Sequence, residues 1–215
     1  MTLTIWGRRT SSNVQALMWC VGELGLAHLR HDIGHVHGGN DTPEFLAMNP
    51  NGLVPVLQDG DDEPIWETGA ILRYLAARYG PDSFWPTDPA RRARVDKWAE
   101  WAKLNVALGF TGPVFWQVVR TAPSQQDPRA IAEALARLAC LLKIAEGQLA
   151  DREYLAGDDF TLADIQFGHV LYRYFDIDIA RPAWPAIERY YAALVRRPAF
   201  AEHVMVSYEP LRVTE

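Results

Sequence analysis

Cysteine is scarce: the 215 residues hold two, Cys20 and Cys140, far apart and in neither a C-x-x-C pair nor a metal-ligand spacing. That pattern excludes a disulfide framework, a structural zinc site and a dithiol redox pair. Positive charge is also short, with 21 Lys and Arg against 27 Asp and Glu and a formal net charge of −6. Binding a phosphate backbone needs the opposite balance, so no nucleic-acid partner is expected. The local group Arg91, Arg92 and Arg94 does not reverse this, because Asp88, Asp96 and Glu100 interleave with it as on a solvated helix face. No apolar run approaches the ~18 residues of a membrane span. The opening Met1 to Trp6 alternates like a strand and lacks a charged leader with an apolar stretch behind it. The expectation is a soluble cytoplasmic protein with no membrane partner. What is present in quantity is apolar and aromatic: 49% hydrophobic residues, with eight each of Trp, Tyr and Phe. A chain of this composition buries a sizeable core and is not disordered.

The first 80 residues mix two periods. Leu3 and Ile5 mark a short strand that Gly7 and the polar run Arg8 to Asn13 close. Val14, Leu17, Met18, Val21 and Leu24 recur at helical spacing, with Gly25 placed to end the helix. A second strand over Leu29 to Ile33 completes a βαβ unit with parallel strands. A Gly/His-rich loop (34–42) and a helical patch around Glu44 to Ala47 follow. Val54 to Leu57 reads as a third strand, turned by Asp59-Gly60-Asp61-Asp62 into Pro64-Ile65-Trp66. Ile71, Leu72, Leu75 and Tyr79 then resume helical spacing. The result is a compact α/β unit with a four-stranded mixed sheet.

Beyond it the pattern changes. Gly80 to Pro89 holds three prolines, too many for a helix or a central strand, and reads as a linker. Helical periods then dominate: Val95 to Leu104, Leu135 to Leu149, 162 to about 175, 184–195 and 198–205. Pro128 and Pro198 stand at the first-turn position that proline tolerates best. Residues 1–80 are therefore one domain, 81–89 a linker, and 90–215 an all-helical bundle of about five helices. The segment Phe160 to Ile165 fits a helix start, with Thr161 and Asp164 as a capping box and Phe160 stapling onto Ile165.

Three stretches, Arg9-Thr10-Ser11-Ser12-Asn13-Val14, Asn49-Pro50-Asn51-Gly52-Leu53-Val54-Pro55-Val56-Leu57 and Trp66-Glu67-Thr68-Gly69-Ala70-Ile71-Leu72-Arg73-Tyr74-Leu75, together resemble the soluble glutathione transferase family. Asp159 to Asp164 looks like that family's capping segment, so the resemblance spans nearly the whole chain. It is most similar to the bacterial theta-like or nu-like branches. It implies a thioredoxin-like glutathione-binding domain followed by a helical bundle, paired as a homodimer. In that family the proline matched by Pro55 is cis, which leaves the backbone of Val54 free to pair with an extended peptide. Glu67 and Thr68, at a helix start, are assigned the charged γ-glutamyl end of glutathione; as an isolated pair they would read as a cap and a solvated charge. Where relatives often carry Gln or His at 52 and 53, this chain has Gly52 and Leu53.

Ser11 falls where the serine-type branches hold the hydroxyl that stabilises the glutathione thiolate. Asn13 is the alternative, and also a glutathione ligand; Thr10 and Ser12 compete as cap or donor. His37 is assigned the glycyl carboxylate, and Arg8 and Arg9 attract an anionic ligand locally. Cys20, mid-helix among Leu17, Met18 and Val21, reads as a small core residue. The crowded His28, His31, His35 and His37 read as solvated side chains, with no metal expected. Phe110, Phe115, Trp116 and Arg120 are expected to face an electrophilic substrate between the domains, although at that spacing each is also an ordinary core or interface residue. Trp98 and Trp101 belong either to the subunit interface or to the bundle core. The function implied is glutathione conjugation or glutathione-dependent reduction of peroxides or disulfides. A glutathione-dependent isomerase or dehalogenase and a non-catalytic scaffold of the same fold are the alternatives.

Overall fold

The structure is a computed structural model that describes residues Thr2–Glu215. Leu3–Trp6 forms β1, with Leu3 and Ile5 buried and the alternate residues half-buried. Helix α1 (Ser12–Glu23) leads to β2 (His28–His31), parallel to β1 with Leu3 opposite His28. Helix α2 (Pro43–Met48) starts from Thr42, whose hydroxyl accepts the Phe45 amide at 3.3 Å. Strand β3 (Val56–Asp59) is antiparallel to β1, and β4 (Ile65–Trp66) is antiparallel to β3, giving the order β2-β1-β3-β4. Helix α3 (Thr68–Tyr79) closes this four-stranded mixed sheet unit.

Two strand boundaries depart from the hydrophobic pattern for identifiable reasons. β2 ends at His31, before the expected Ile33, because the Ile33 carbonyl accepts the Arg8 amide at 3.1 Å and Gly34 turns the chain away. Its residues are mostly exposed, as suits a polar edge strand. β3 starts at Val56, after the expected Val54, because Pro55 has no N–H for the ladder and the Val54–Pro55 peptide is cis.

The remainder is helical. Helix α4 (Pro89–Trp101) is capped by Asp88, which accepts the Arg91 amide at 2.8 Å. It continues as one rod through a wide i→i+5 segment (Ala102–Ala107), α5 (Leu108–Phe110), a second wide segment (Thr111–Trp116) and α6 (Gln117–Val119). Helix α7 (Pro128–Leu149) starts at Asp127, whose carboxylate takes the amides of Arg129 and Ala130 at 2.9 and 3.0 Å. The run expected as one helix from 162 splits into α8 (Leu162–Gly168) and α9 (Leu171–Asp176). The His169 ring and the His169 amide both take the Ile165 carbonyl, at 3.1 and 3.3 Å, so a side chain competes with the helical ladder there. Helices α10 (Pro185–Val195) and α11 (Pro198–His203) complete the bundle.

The two halves share one core, centred on fully buried Trp19 of α1. Burying a side chain of that size contributes roughly 4–6 kcal/mol gross. Trp19 meets Phe160 and Phe200 edge-on or tilted, and its indole N–H donates to Glu23 at 2.8 Å. Glu23 in turn takes both ends of the Arg197 fork, at 2.7 and 2.8 Å. Gly168 of α8 lies against the Trp19 ring, where a Cβ would come within 2.8 Å.

Asp164 ties the start of α8 to the rest of the bundle. One carboxylate oxygen accepts the Leu155 amide (2.9 Å) and the Tyr190 hydroxyl (3.0 Å). The other accepts the amide and hydroxyl of Thr161, at 2.8 and 3.1 Å. Burial pushes its pKa up to about 6, and all four donors oppose that shift. An amide in this position would turn its NH2 against a backbone donor on one side or the other. Asp164→Asn is therefore expected to cost about 2–4 kcal/mol in urea unfolding. Thr161→Ala is expected to cost about 1 kcal/mol through the lost cap. Equal losses in the two variants would mean that the carboxylate does no more than cap.

Candidate active site

The loop between β1 and α1 and the chain before β3 meet at Gly7. A Cβ on that residue would stand 2.5 Å from Val14 and 3.3 Å from the Val54 side chain, so only glycine permits the approach. Beside it opens a cavity of about 450 Å³ between the sheet unit and the helical rod. Thr10, Ser11, Ser12, Asn13 and Val54 line the sheet side. Lys103, Thr111, Phe115, Trp116 and Arg120 line the opposite wall.

Ser11 holds the N-cap position of α1, yet its side chain makes no capping hydrogen bond. Its hydroxyl therefore stands uncommitted at the positive end of a twelve-residue helix. Asn13, in the first turn, accepts the Lys103 ammonium on its side-chain oxygen at 2.6 Å, leaving its NH2 to donate elsewhere. Burial lowers the pKa of Lys103, and Glu67 opposes the shift by favouring its charge. The amide and carbonyl of Val54 have no hydrogen-bond partner among the described residues. The cis Val54–Pro55 peptide thus stands beside a free backbone rung, with Pro55 itself buried.

Glu67 and Thr68 lie at the start of α3, outside the cavity lining but within electrostatic reach of Lys103. Glu67 is exposed and adopts φ +70°, ψ 117°, a conformation that non-glycine residues seldom hold without a functional reason. One expectation about the cavity wall needs correction. Phe110 packs on Phe115 and Tyr174 and is not among the residues that line the cavity, so it belongs to the core. His37 is exposed in the single turn His35–His37, outside the cavity lining as Glu67 and Thr68 are, and His35 of the same turn lines the cavity. Trp98 and Trp101 meet edge-on, and both pack against the bundle core, Trp101 near Phe167. No group of three His, Cys, Asp or Glu is arranged to hold a metal among the described residues.

The pattern of apolar residues holds two further site residues. Lys103 occupies the third position of the stripe Ala99, Ala102, Lys103, Val106, and Arg173 the second of Val170, Arg173, Tyr174, Ile177. A long cation on a core-facing stripe is the signal that finds them. Arg173 is 3% exposed, lies over Phe115 at 4.5 Å and donates to the Thr10 carbonyl at 2.7 Å.

A sheet of this order carrying a free rung next to a helix amino end, with a helical bundle as the facing wall, defines a thioredoxin-like thiol- or peptide-binding enzyme fold with a second domain. Family comparison agrees in both parts. The model described as "Glutathione S-transferase, N-terminal domain" matches residues 1–77, and "Glutathione S-transferase, C-terminal domain" matches residues 108–198. The chain is 37% identical over 205 residues to Glutathione S-transferase GstB of Escherichia coli (strain K12), covering 95% of this chain and 98% of the relative. It is 34% identical to Glutathione S-transferase 3 of Zea mays, over 94% of this chain and 93% of that one. Among solved structures it is similar to the theta class glutathione S-transferase of Xanthomonas axonopodis pv. citri with glutathione bound: TM-score 0.90, 44% identity, 95% of this chain and 98% of that one. The chain belongs to the glutathione S-transferase family.

The two cysteines differ sharply. Cys20 is buried, and burial first, then Glu23, pushes its thiol well up, whereas Cys140 is exposed on α7. A thiol-directed reagent at neutral pH is expected to label one thiol per native chain, and Cys140→Ser is expected to abolish the labelling. Labelling that persists in Cys140→Ser would make Cys20 accessible.

Proposed function

We propose that this glutathione transferase binds glutathione in extended form along the Val54 rung and presents its sulfur to the Ser11 hydroxyl for attack on an electrophile. The observation that carries the reading is the pairing of an unpartnered backbone rung with an uncommitted hydroxyl at a helix amino end, in one cavity. Glu67 and Thr68 take the γ-glutamyl ammonium and carboxylate, the latter at the amino end of α3. Asn13, with its oxygen held by Lys103, offers its NH2 as the second donor near the sulfur. Phe115, Trp116 and Arg120 form the wall against which the electrophile rests. We further assign the enzyme to a cytoplasmic detoxifying role as a homodimer, with a glutathione domain over 1–80 and a helical domain over 90–215.

The chemistry divides into two unequal shares. A free thiol of pKa about 8.5 is about 3% thiolate at pH 7, and a depression of about two units makes it roughly 75%. Nucleophilicity falls with basicity at a slope of about 0.4–0.5, so the net gain from activation is only about 3-fold. Most of the acceleration must then come from holding sulfur and electrophile together in one cavity.

Two measurements separate the donors. Ultraviolet titration of the enzyme-bound thiolate is expected to move up by about one to two pH units in Ser11→Ala, a loss of one charge-assisted hydrogen bond. Conjugation of 1-chloro-2,4-dinitrobenzene at pH 7 is expected to fall only about 3-fold in kcat/KM, the share left to activation once nucleophilicity is counted. The same shift in Asn13→Ala with none in Ser11→Ala would pass the role to Asn13. A wild-type protein that binds glutathione with no thiolate absorbance at all would be a scaffold.

A further inference from the structure

The electrophile wall carries more positive charge than an apolar substrate needs. Arg8, Arg120 and Arg173 all line the cavity, Lys103 lines it beside them, and no Asp or Glu is among its lining residues. None of the three arginines takes part in an ion pair among the described residues. The Nε atoms of Arg8 and of Arg173 are buried with no hydrogen-bond partner. Arg173 is almost wholly buried, its fork anchored at one end on the Thr10 carbonyl and its face on Phe115. Arg120 lies over the Trp116 ring at 5.0 Å. This arrangement is costly in the unliganded chain: buried cations are ordinarily paired, and here like charges face one another. The cost registers in the groups themselves. Burial lowers Arg8, with Arg120 adding to the effect, and burial together with Arg8 and Arg120 lowers Arg173 to about 10, which still leaves Arg173 charged at neutral pH.

In a protein with net charge −6, a cluster of this kind is local and directed. A planar fork matches a planar oxyanion through two parallel hydrogen bonds, a geometry that lysine does not offer. Trp116, on which Arg120 rests, is exposed and leaves an apolar surface for the uncharged part of the same molecule. We propose that the second substrate of this enzyme is a small electrophile bearing a carboxylate, held by Arg8, Arg120 and Arg173 with its reacting carbon turned toward the glutathione sulfur. The proposal rests on the transferase reading above and adds to it the charge class of the electrophile.

A matched acid and ester test it, since the two share one reaction: 4-chloro-3,5-dinitrobenzoate and its methyl ester. In both, the glutathione thiolate attacks the carbon bearing chlorine. A C–S bond forms, the C–Cl bond breaks, chloride leaves with the bonding pair, and the thiol proton goes to solvent. Without enzyme the ester reacts faster, because the carboxylate repels the thiolate and withdraws fewer electrons. The acid-to-ester ratio of kcat/KM, divided by the uncatalysed ratio, is expected to exceed about 10 in the wild type, as charge-assisted hydrogen bonds to one anion require. In Arg120→Gln and in Arg8→Gln it is expected to drop about 10-fold toward one; a general loss of activity cancels in the ratio. A wild-type ratio no greater than the uncatalysed one overturns the proposal. So do variants that raise the KM for glutathione while the ratio holds, which would give the arginines to glutathione itself. Turnover of neither compound, with no binding of glutathione, would instead remove the transferase reading on which the proposal stands.

Discussion

The site depends on one close approach. Gly7 lets β1, the first turn of α1 and the residue before Pro55 converge within van der Waals distance, and a single methyl group there would force Val14 or Val54 aside. Because of that convergence, the free peptide rung of Val54 and the uncommitted Ser11 hydroxyl face one cavity. Arg8, next in the chain, is carried to the same place. The geometry thus follows from a backbone constraint, and the functional side chains are attached to it at fixed offsets.

A cavity built across a seam between domains keeps its shape only if the seam is held. Polar ties do this at several levels. Glu23 and Arg197 pair in bidentate fashion beside Trp19 at one end of α1. Arg73 on α3 takes Asp96 at 2.7 Å and Glu100 on α4. Two further ties lie at the cavity itself: Lys103 on Asn13 and Arg173 on the Thr10 carbonyl. Each reaches from the helical wall to the loop and first turn that carry Ser11, so helical-domain residues orient the sheet-domain donors. The partly buried pairs are screened less than surface ones, and their planar forks fix angle as well as distance.

Much of this arrangement is legible in the amino-acid sequence, and the remainder is hidden for physical reasons. The alternation of Leu3 and Ile5, the spacing from Val14 to Leu24, and the proline-rich change of period after Gly80 carry the architecture, because burial repeats with the geometry of each element. The Thr161 and Asp164 capping box is equally visible, because it is a local hydrogen-bond pattern. Glu67's positive φ leaves no such trace, since nothing in its residue type announces it. Phe110 and Phe115 look alike in sequence and both are buried; only the turn of the rod decides that Phe115 also borders the cavity. His37 and His35, two residues apart on a glycine-flanked turn, likewise differ in whether they line the cavity, which their residue type does not announce.

The turn of the helical rod at Phe115 has a material cause. Both wide segments, Ala102–Ala107 and Thr111–Trp116, contribute to the cavity wall: Lys103 and Ala107 from the first, Thr111, Phe115 and Trp116 from the second. A wide turn accommodates an extra residue and rotates every later side chain relative to a regular α-helix, so heptad-like counting from Val95 fails beyond Trp101. Pro113 lies inside the second segment and has no N–H to donate, so a regular ladder could not have passed through it intact. The irregular winding therefore does two things at once. It absorbs a proline that would otherwise break the rod, and it brings Phe115, Trp116 and, four residues on from the last, Arg120 onto the face that looks across at Ser11. The charge lining this wall depends on the same winding: with a regular helix, Arg120 would not share a face with Phe115 and Lys103 in the register observed, and Arg8 and Arg173 would meet a different surface.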